Sequence, residues 1–180
     1  CLAAVAASFT RPYAGQMLLN SDGTTLHWTL TNTSLQLGIQ TVARGWLAVG
    51  FSQSSANAMI SNGQGSDITL LGYGTLSCTS GCVSQYAPSS YPPDSGSPIP
   101  SGATTSVLVN KALDGATGLM TLEFDRPRAS LSFDPSFGAT QVIYAYNPTP
   151  GSFTSSSVFQ KHLSNTRGTA QVAFSQTGNF

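Results

Sequence analysis

Charge is scarce in this chain. Asp, Glu, Lys and Arg make up 8% of 180 residues, and the seven basic and seven acidic groups cancel. With no basic stripe to neutralise a phosphate backbone, nucleic acid is excluded as a partner. Apolar runs are short, and none approaches the ~20 residues of a membrane-spanning helix. Helical periodicity and internal repeats are both missing. Histidine occurs twice and cysteine three times, and Cys78 and Cys82 have no two further ligands of their kind nearby to complete a structural zinc site. Asp67, Asp125 and Asp134 are scattered, without the paired spacing of glycoside hydrolysis. No Gly-x-Ser-x-Gly elbow or phosphate-cradling loop occurs either. The chain is not read as an enzyme.

What is abundant is Ser, Thr, Asn and Gln, which hydrate a surface without ionising. The length suits one well-buried core, so residues 1–180 are read as a single domain, with its core over about 24–174. Thr24 to Thr31 alternates, with Leu26, Trp28 and Leu30 on one face and Thr25, His27 and Thr29 on the other. Leu35, Leu37 and Ile39 repeat the pattern over 34–40. The run 45–52 is apolar on both faces and belongs in the middle of a sheet. Further strands are expected over 66–73, 104–109, 119–124, 141–146 and 169–174. Eight or more short strands separated by Gly, Pro, Asn and Ser clusters predict an all-β, two-sheet antiparallel sandwich. Prolines are confined to sheet edges and loops, so the Pro/Ser-rich stretch 87–100 is read as a surface excursion.

Cys78-Thr-Ser-Gly-Cys82 spans a loop short enough for a local disulfide, which is favoured over reduced thiols. Cys1 is left over: pairing with another chain, a free thiol and a processing role all stay open, since residues 1–8 have the small-residue look of a signal peptide's end. Asn32-Thr33-Ser34 is an N-glycosylation sequon, relevant to an exported chain.

Two side chains stand outside the strand pattern. Met59 lies in a small-residue loop, where a core methionine has little to pack against, and His162 sits in a polar loop just before Arg167-Gly168. Met17 and Met120, within strand-like runs, read as core. One thioether and one imidazole, each offered from a loop beside a buried strand, are the ligands of a six-coordinate haem iron. No Cys-x-x-Cys-His sequence is present for covalent attachment.

Leu26-His-Trp28, Gly45-Trp-Leu-Ala-Val-Gly-Phe-Ser52, Met59 followed by Gly65-Ser-Asp67, Val142-Ile-Tyr-Ala145, and His162 with Arg167-Gly168 follow one another in an order that resembles the DOMON domain family. The likeness is to its haem-binding branch and runs from about Leu26 to Phe174. It implies a β-sandwich holding one non-covalent haem b, with Met59 and His162 as axial ligands. Lys161 and Arg167 would meet the propionates, although Arg167 serves equally well in bonds to backbone carbonyls. Trp46, Phe51, Tyr144 and Tyr146 are candidates for an aromatic wall. Relative to the family pattern, Ser61-Asn-Gly-Gln64 stands inserted between Ile60 and Gly65.

The resemblance implies an electron carrier, secreted or on the extracellular face of a membrane, working with a redox partner protein or a fused domain. A tether to a membrane cytochrome in the full-length protein is one such arrangement. Some relatives bind sugars or small ligands without haem, so a haem-free binding module is the second expectation and a structural spacer the third.

Overall fold

Alternation along the chain becomes two packed sheets. The computed structural model describes residues 8–42, 46–52, 60–61, 64–65, 67–72, 83–86, 107–114, 116–131, 133–149, 153–155, 158–159, 166–175 and 178–179. In chain order the strands are β1 (Gly15–Leu18), β2 (Thr25–Leu30), β3 (Ser34–Thr41), β4 (Trp46–Ser52), β5 (Ile60–Ser61), β6 (Gln64–Gly65), β7 (Asp67–Gly72) and β8 (Val83–Tyr86). There follow β9 (Val107–Leu113), β10 (Met120–Pro127), β11 (Thr140–Asn147), β12 (Phe153–Ser155), β13 (Val158–Phe159), β14 (Arg167–Val172) and β15 (Gly178–Asn179). The described helical content is one 3-10 turn, Arg128–Ser130.

Six strands form one sheet in the order β15-β1-β2-β3-β10-β9, and five form the other in the order β14-β11-β4-β7-β8. All neighbours within them are antiparallel except β1 and β15. The chain is therefore an all-β sandwich, as the short-strand rhythm predicts. The doubly apolar β4 lies in the middle of its sheet.

The core is the alternating set read from the sequence, now facing its counterpart. Leu26 and Trp28 on β2, Leu35, Leu37 and Ile39 on β3 and Met120, Leu122 and Phe124 on β10 meet Leu47, Val49 and Phe51 on β4 and Val142 and Tyr146 on β11. Phe174, just past β14, lies edge-on between the layers, 5.8 Å from Trp28 and 5.8 Å from Phe51. It serves the core from a turn rather than from within a strand. β14 starts two residues earlier than the alternation predicts, because Arg167 still pairs with Ala145. β9 starts three residues later than expected and carries a bulge at Val109, between the pairs Asn110–Glu123 and Leu108–Phe124.

The outer face of the six-stranded sheet is covered by the chain's own residues 9–13. His27, Gly38, Glu123 and Asn110 lie in one transverse row. Gly38 leaves a dent, and the rings of Phe9 and Tyr13 fill it: a Cβ there would lie 2.6 Å from the Tyr13 ring and 2.7 Å from that of Phe9. The His27 imidazole packs beneath Phe9, ring centres 4.5 Å apart, and shares a hydrogen bond with Thr25. Beside the dent, the buried Glu123 carboxylate accepts from the Thr10 amide at 2.8 Å, the Thr10 hydroxyl at 2.7 Å and the Asn110 amide at 2.9 Å. Arg11 completes the clasp with an ion pair to Asp125 at 2.6 Å.

Burial opposes ionisation of Glu123, yet the bonds from Thr10, Asn110 and Tyr13 outweigh it and hold the carboxyl below its ordinary value of 4.5. Burial alone pushes His27 below its ordinary 6.5. In both cases the unfolded chain binds the proton first, so stability falls as the pH drops through 6.5 for His27 and again below 4.5 for Glu123. Urea midpoints measured against pH will show both steps. His27→Gln removes the upper step. Glu123→Gln shrinks the lower one, to which the depressed Asp114 and Asp134 carboxyls also contribute, at a cost of about 1.5–3 kcal/mol at pH 7. A Glu123→Gln curve parallel to the parent below pH 4.5 contradicts the assignment.

Candidate functional site

Strand β4 is apolar on both faces, whereas the outward face of β11 adds the buried polar Gln141 and Asn147 to Ile143 and Ala145, and this outward face is where the candidate site lies. Leu47, Val49 and Phe51, with Val142, Tyr144 and Tyr146, point into the core, so the intervening residues point outward. Register pairs them as Gly50 with Ile143, Ala48 with Ala145 and Trp46 with Asn147. This outer face is closed to solvent: Trp46 is 2%, Ile143 5%, Ala145 6% and Ala48 8% exposed. A sheet face left in water would be polar. Here two alanines and a glycine make a flat, apolar floor, with the Trp46 indole at one end. On β14 the same face turns polar and exposed, with Arg167 in register with Ala145 and Gln171 with Gln141.

Met59, His162 and Lys161 lie outside the described residues, but the strands that bracket them are described. Met59 lies seven residues beyond Ser52, the end of β4, which is level with Gln141 on β11. His162 lies five residues before Arg167, the start of β14, which is level with Ala145. Those levels are four residues apart along β11, roughly 14 Å. Extended chain reaches at most ~25 Å over seven residues and ~18 Å over five. The strand ends that lead to Met59 and from His162 thus belong to one sheet, at levels roughly 14 Å apart. Thr166 fixes the second tether: its hydroxyl donates to the Tyr146 carbonyl at 2.6 Å, and its own carbonyl accepts the Tyr146 amide at 2.9 Å.

The four-residue insertion is absorbed locally. Ile60 pairs with Gly65 and Ser61 with Gln64, so the residues that flank the insertion stand side by side.

The expected aromatic wall divides. Trp46 alone of the four faces outward, on the side of Arg167. Phe51 stacks in the core against Phe133, ring centres 4.9 Å apart. Tyr144 donates to the Leu19 carbonyl at 2.7 Å, and Tyr146 donates to the Asp22 carboxylate. Strand parity is the reason: residue 46 and residue 51 on one strand cannot share a face, and Tyr144 and Tyr146 are in register with Val49 and Leu47. Burial, reinforced by Asp22, pushes Tyr146 up to about 12. Burial also raises Tyr144. Gly168 makes room for this arrangement, since a Cβ there would run into the Tyr144 hydroxyl.

The outward residues Ala48, Gly50, Ile143 and Ala145 were not among the candidate site residues read from the sequence. The available signal was that 45–52 and 141–146 both lack the polar alternation of a half-buried strand. Among the described residues, no group of three His, Cys, Asp or Glu side chains is arranged to hold a metal ion, and no helix is long and apolar enough to cross a membrane. The cysteines and the stretch 87–100 lie outside the described residues. No protein-family model matches the chain, and no curated protein shows significant similarity to it.

Tyr146→Phe should lower stability by about 0.5–1.5 kcal/mol in urea denaturation, because it removes the hydrogen bond from the buried phenol to the exposed Asp22 carboxylate. In spectrophotometric titration one tyrosine of the parent will ionise near 12, and Tyr146→Phe will lack it. A full complement of ordinary phenols in the parent contradicts the assignment.

Proposed function

We propose that the chain is a b-type cytochrome domain that carries single electrons outside the cell. The observation that carries this reading is the run of small apolar residues on the outer face of the five-stranded sheet, on strands whose ends lead in sequence to Met59 and from His162. The small outward residues Ala48, Gly50 and Ala145 suit contact with a planar apolar group, and Trp46 and Ile143 border them. Met59 and His162 would hold the iron, with Arg167 and Lys161 at the polar β14 margin for the propionates. When bound, such a haem supplies reversible one-electron transfer, and the thioether ligand favours its ferrous state. The chain's own part is to fill both axial positions, to exclude water with the apolar floor, and to present the polar margin to a partner. That partner is a redox protein or a fused domain, and the domain itself is a carrier, not an enzyme.

The absorption spectrum of the purified protein tests this. A Soret band that sharpens and shifts on dithionite addition is expected. Met59→Ala and His162→Ala should convert the spectrum to a high-spin or five-coordinate type, His162→Ala with the greater loss of haem. His27→Ala, on the outer face of the other sheet, should change neither spectrum nor occupancy. A colourless protein that refuses added haemin overturns the reading and leaves the sugar- or small-ligand-binding module in its place.

A further inference from the structure

We propose that Asn32, at the tip of the β2–β3 hairpin, carries an N-linked glycan. Of the eight asparagines in the sequence, Asn32 alone begins an Asn-x-Ser/Thr triplet with a permitted middle residue; Asn147-Pro148-Thr149 fails because of its proline. Such a triplet says little until its place in the fold is known. Here Asn32 and Thr33 are both exposed, at the tip of a tight connection between strands.

The hydrogen bonds of this turn are supplied by its neighbours. The Thr31 amide donates to the Ser34 carbonyl at 2.9 Å, the Ser34 amide to the Thr31 hydroxyl at 2.9 Å, and the Thr31 hydroxyl to the Ser34 carbonyl at 3.0 Å. The Arg128 amide, in the 3-10 turn that follows β10, ties down the Thr33 carbonyl at 2.9 Å. An asparagine in a turn ordinarily folds its side chain back onto the backbone two residues on. Thr31 fills that role here, and the Asn32 carboxamide takes no part in the turn. It points to an attachment outside the fold, and a bulky, hydrating group fits a surface with so few charges.

The reaction is a transfer from a lipid-linked oligosaccharide diphosphate of the export pathway to the emerging chain. The Asn32 Nδ2 forms a bond to the anomeric carbon and gives up a proton. The bond from that carbon to the diphosphate oxygen breaks, and the lipid diphosphate leaves. Because the chain is still extended at that stage, the later hydrogen bonds of Ser34 do not compete. The hairpin belongs to the six-stranded sheet, so the glycan would stand on the other layer from the proposed haem face.

This inference shares with the proposed function only the expectation of export, and its readout is mass rather than colour. Protein isolated from its native source should show intact masses spaced by hexose units that collapse to one species with peptide-N-glycosidase. Digestion in oxygen-18 water should leave labelled aspartate at position 32. In a eukaryotic secretory host, Asn32→Gln and Ser34→Ala should each abolish the modification, and Ser34→Thr should keep it. An unmodified Asn32 in the native protein, or a glycan that survives Asn32→Gln, overturns the proposal whatever the haem content.

Discussion

The two-residue period of β4 and β11 is the constraint on which the rest of the molecule depends. Each strand sends apolar side chains to both faces, so neither can lie at a wet surface. Their inward residues find the six-stranded sheet, which brings Trp28, Phe174 and Phe51 together in one core. Their outward residues require a second cover. Leaving Trp46 or Ile143 in water would forgo roughly 1.5–3 kcal/mol each, and both are closed off. Both faces of these two strands are buried within the protein chain itself.

The two outer faces of the sandwich are finished in different ways. On the six-stranded sheet the chain supplies its own ligand: residues 9–13 fill the dent at Gly38 with two rings, and the Glu123 carboxylate is fully engaged. That face is accounted for by charge and shape together. On the five-stranded sheet the floor is apolar and small, with its polar groups at the margins. Between the layers, Tyr144 and Tyr146 pin the β1–β2 turn through Leu19 and Asp22. Tyr146 also receives Thr166, so the core interaction that aligns the sheets fixes the point where the His162 segment enters.

Much of the fold was legible because strand alternation is a local property. The faces of β2 and β3, and the central place of β4, follow directly from which positions carry Leu, Ile and Trp. The N-terminal cover was not legible, since Phe9 and Tyr13 reach Gly38 and Glu123 across more than 20 and 100 residues of chain, and nothing local announces such a contact. The split among the aromatics was in principle readable: Trp46 and Phe51 are five apart on one strand, and an odd separation places them on opposite faces. Reading them as one wall overlooked that parity. The proposed ligand pair rests on a different footing, the family resemblance together with the tether lengths, since Met59 and His162 lie beyond the described strands.

Iron-edge anomalous diffraction from crystals of the purified protein tests the central claim most directly. The account predicts a single iron peak outside the five-stranded sheet, above the Ala48–Ala145 pair and between the sulfur of Met59 and the ring of His162. A peak anywhere else on the sandwich, or no iron in protein crystallised after exposure to haemin, would contradict it.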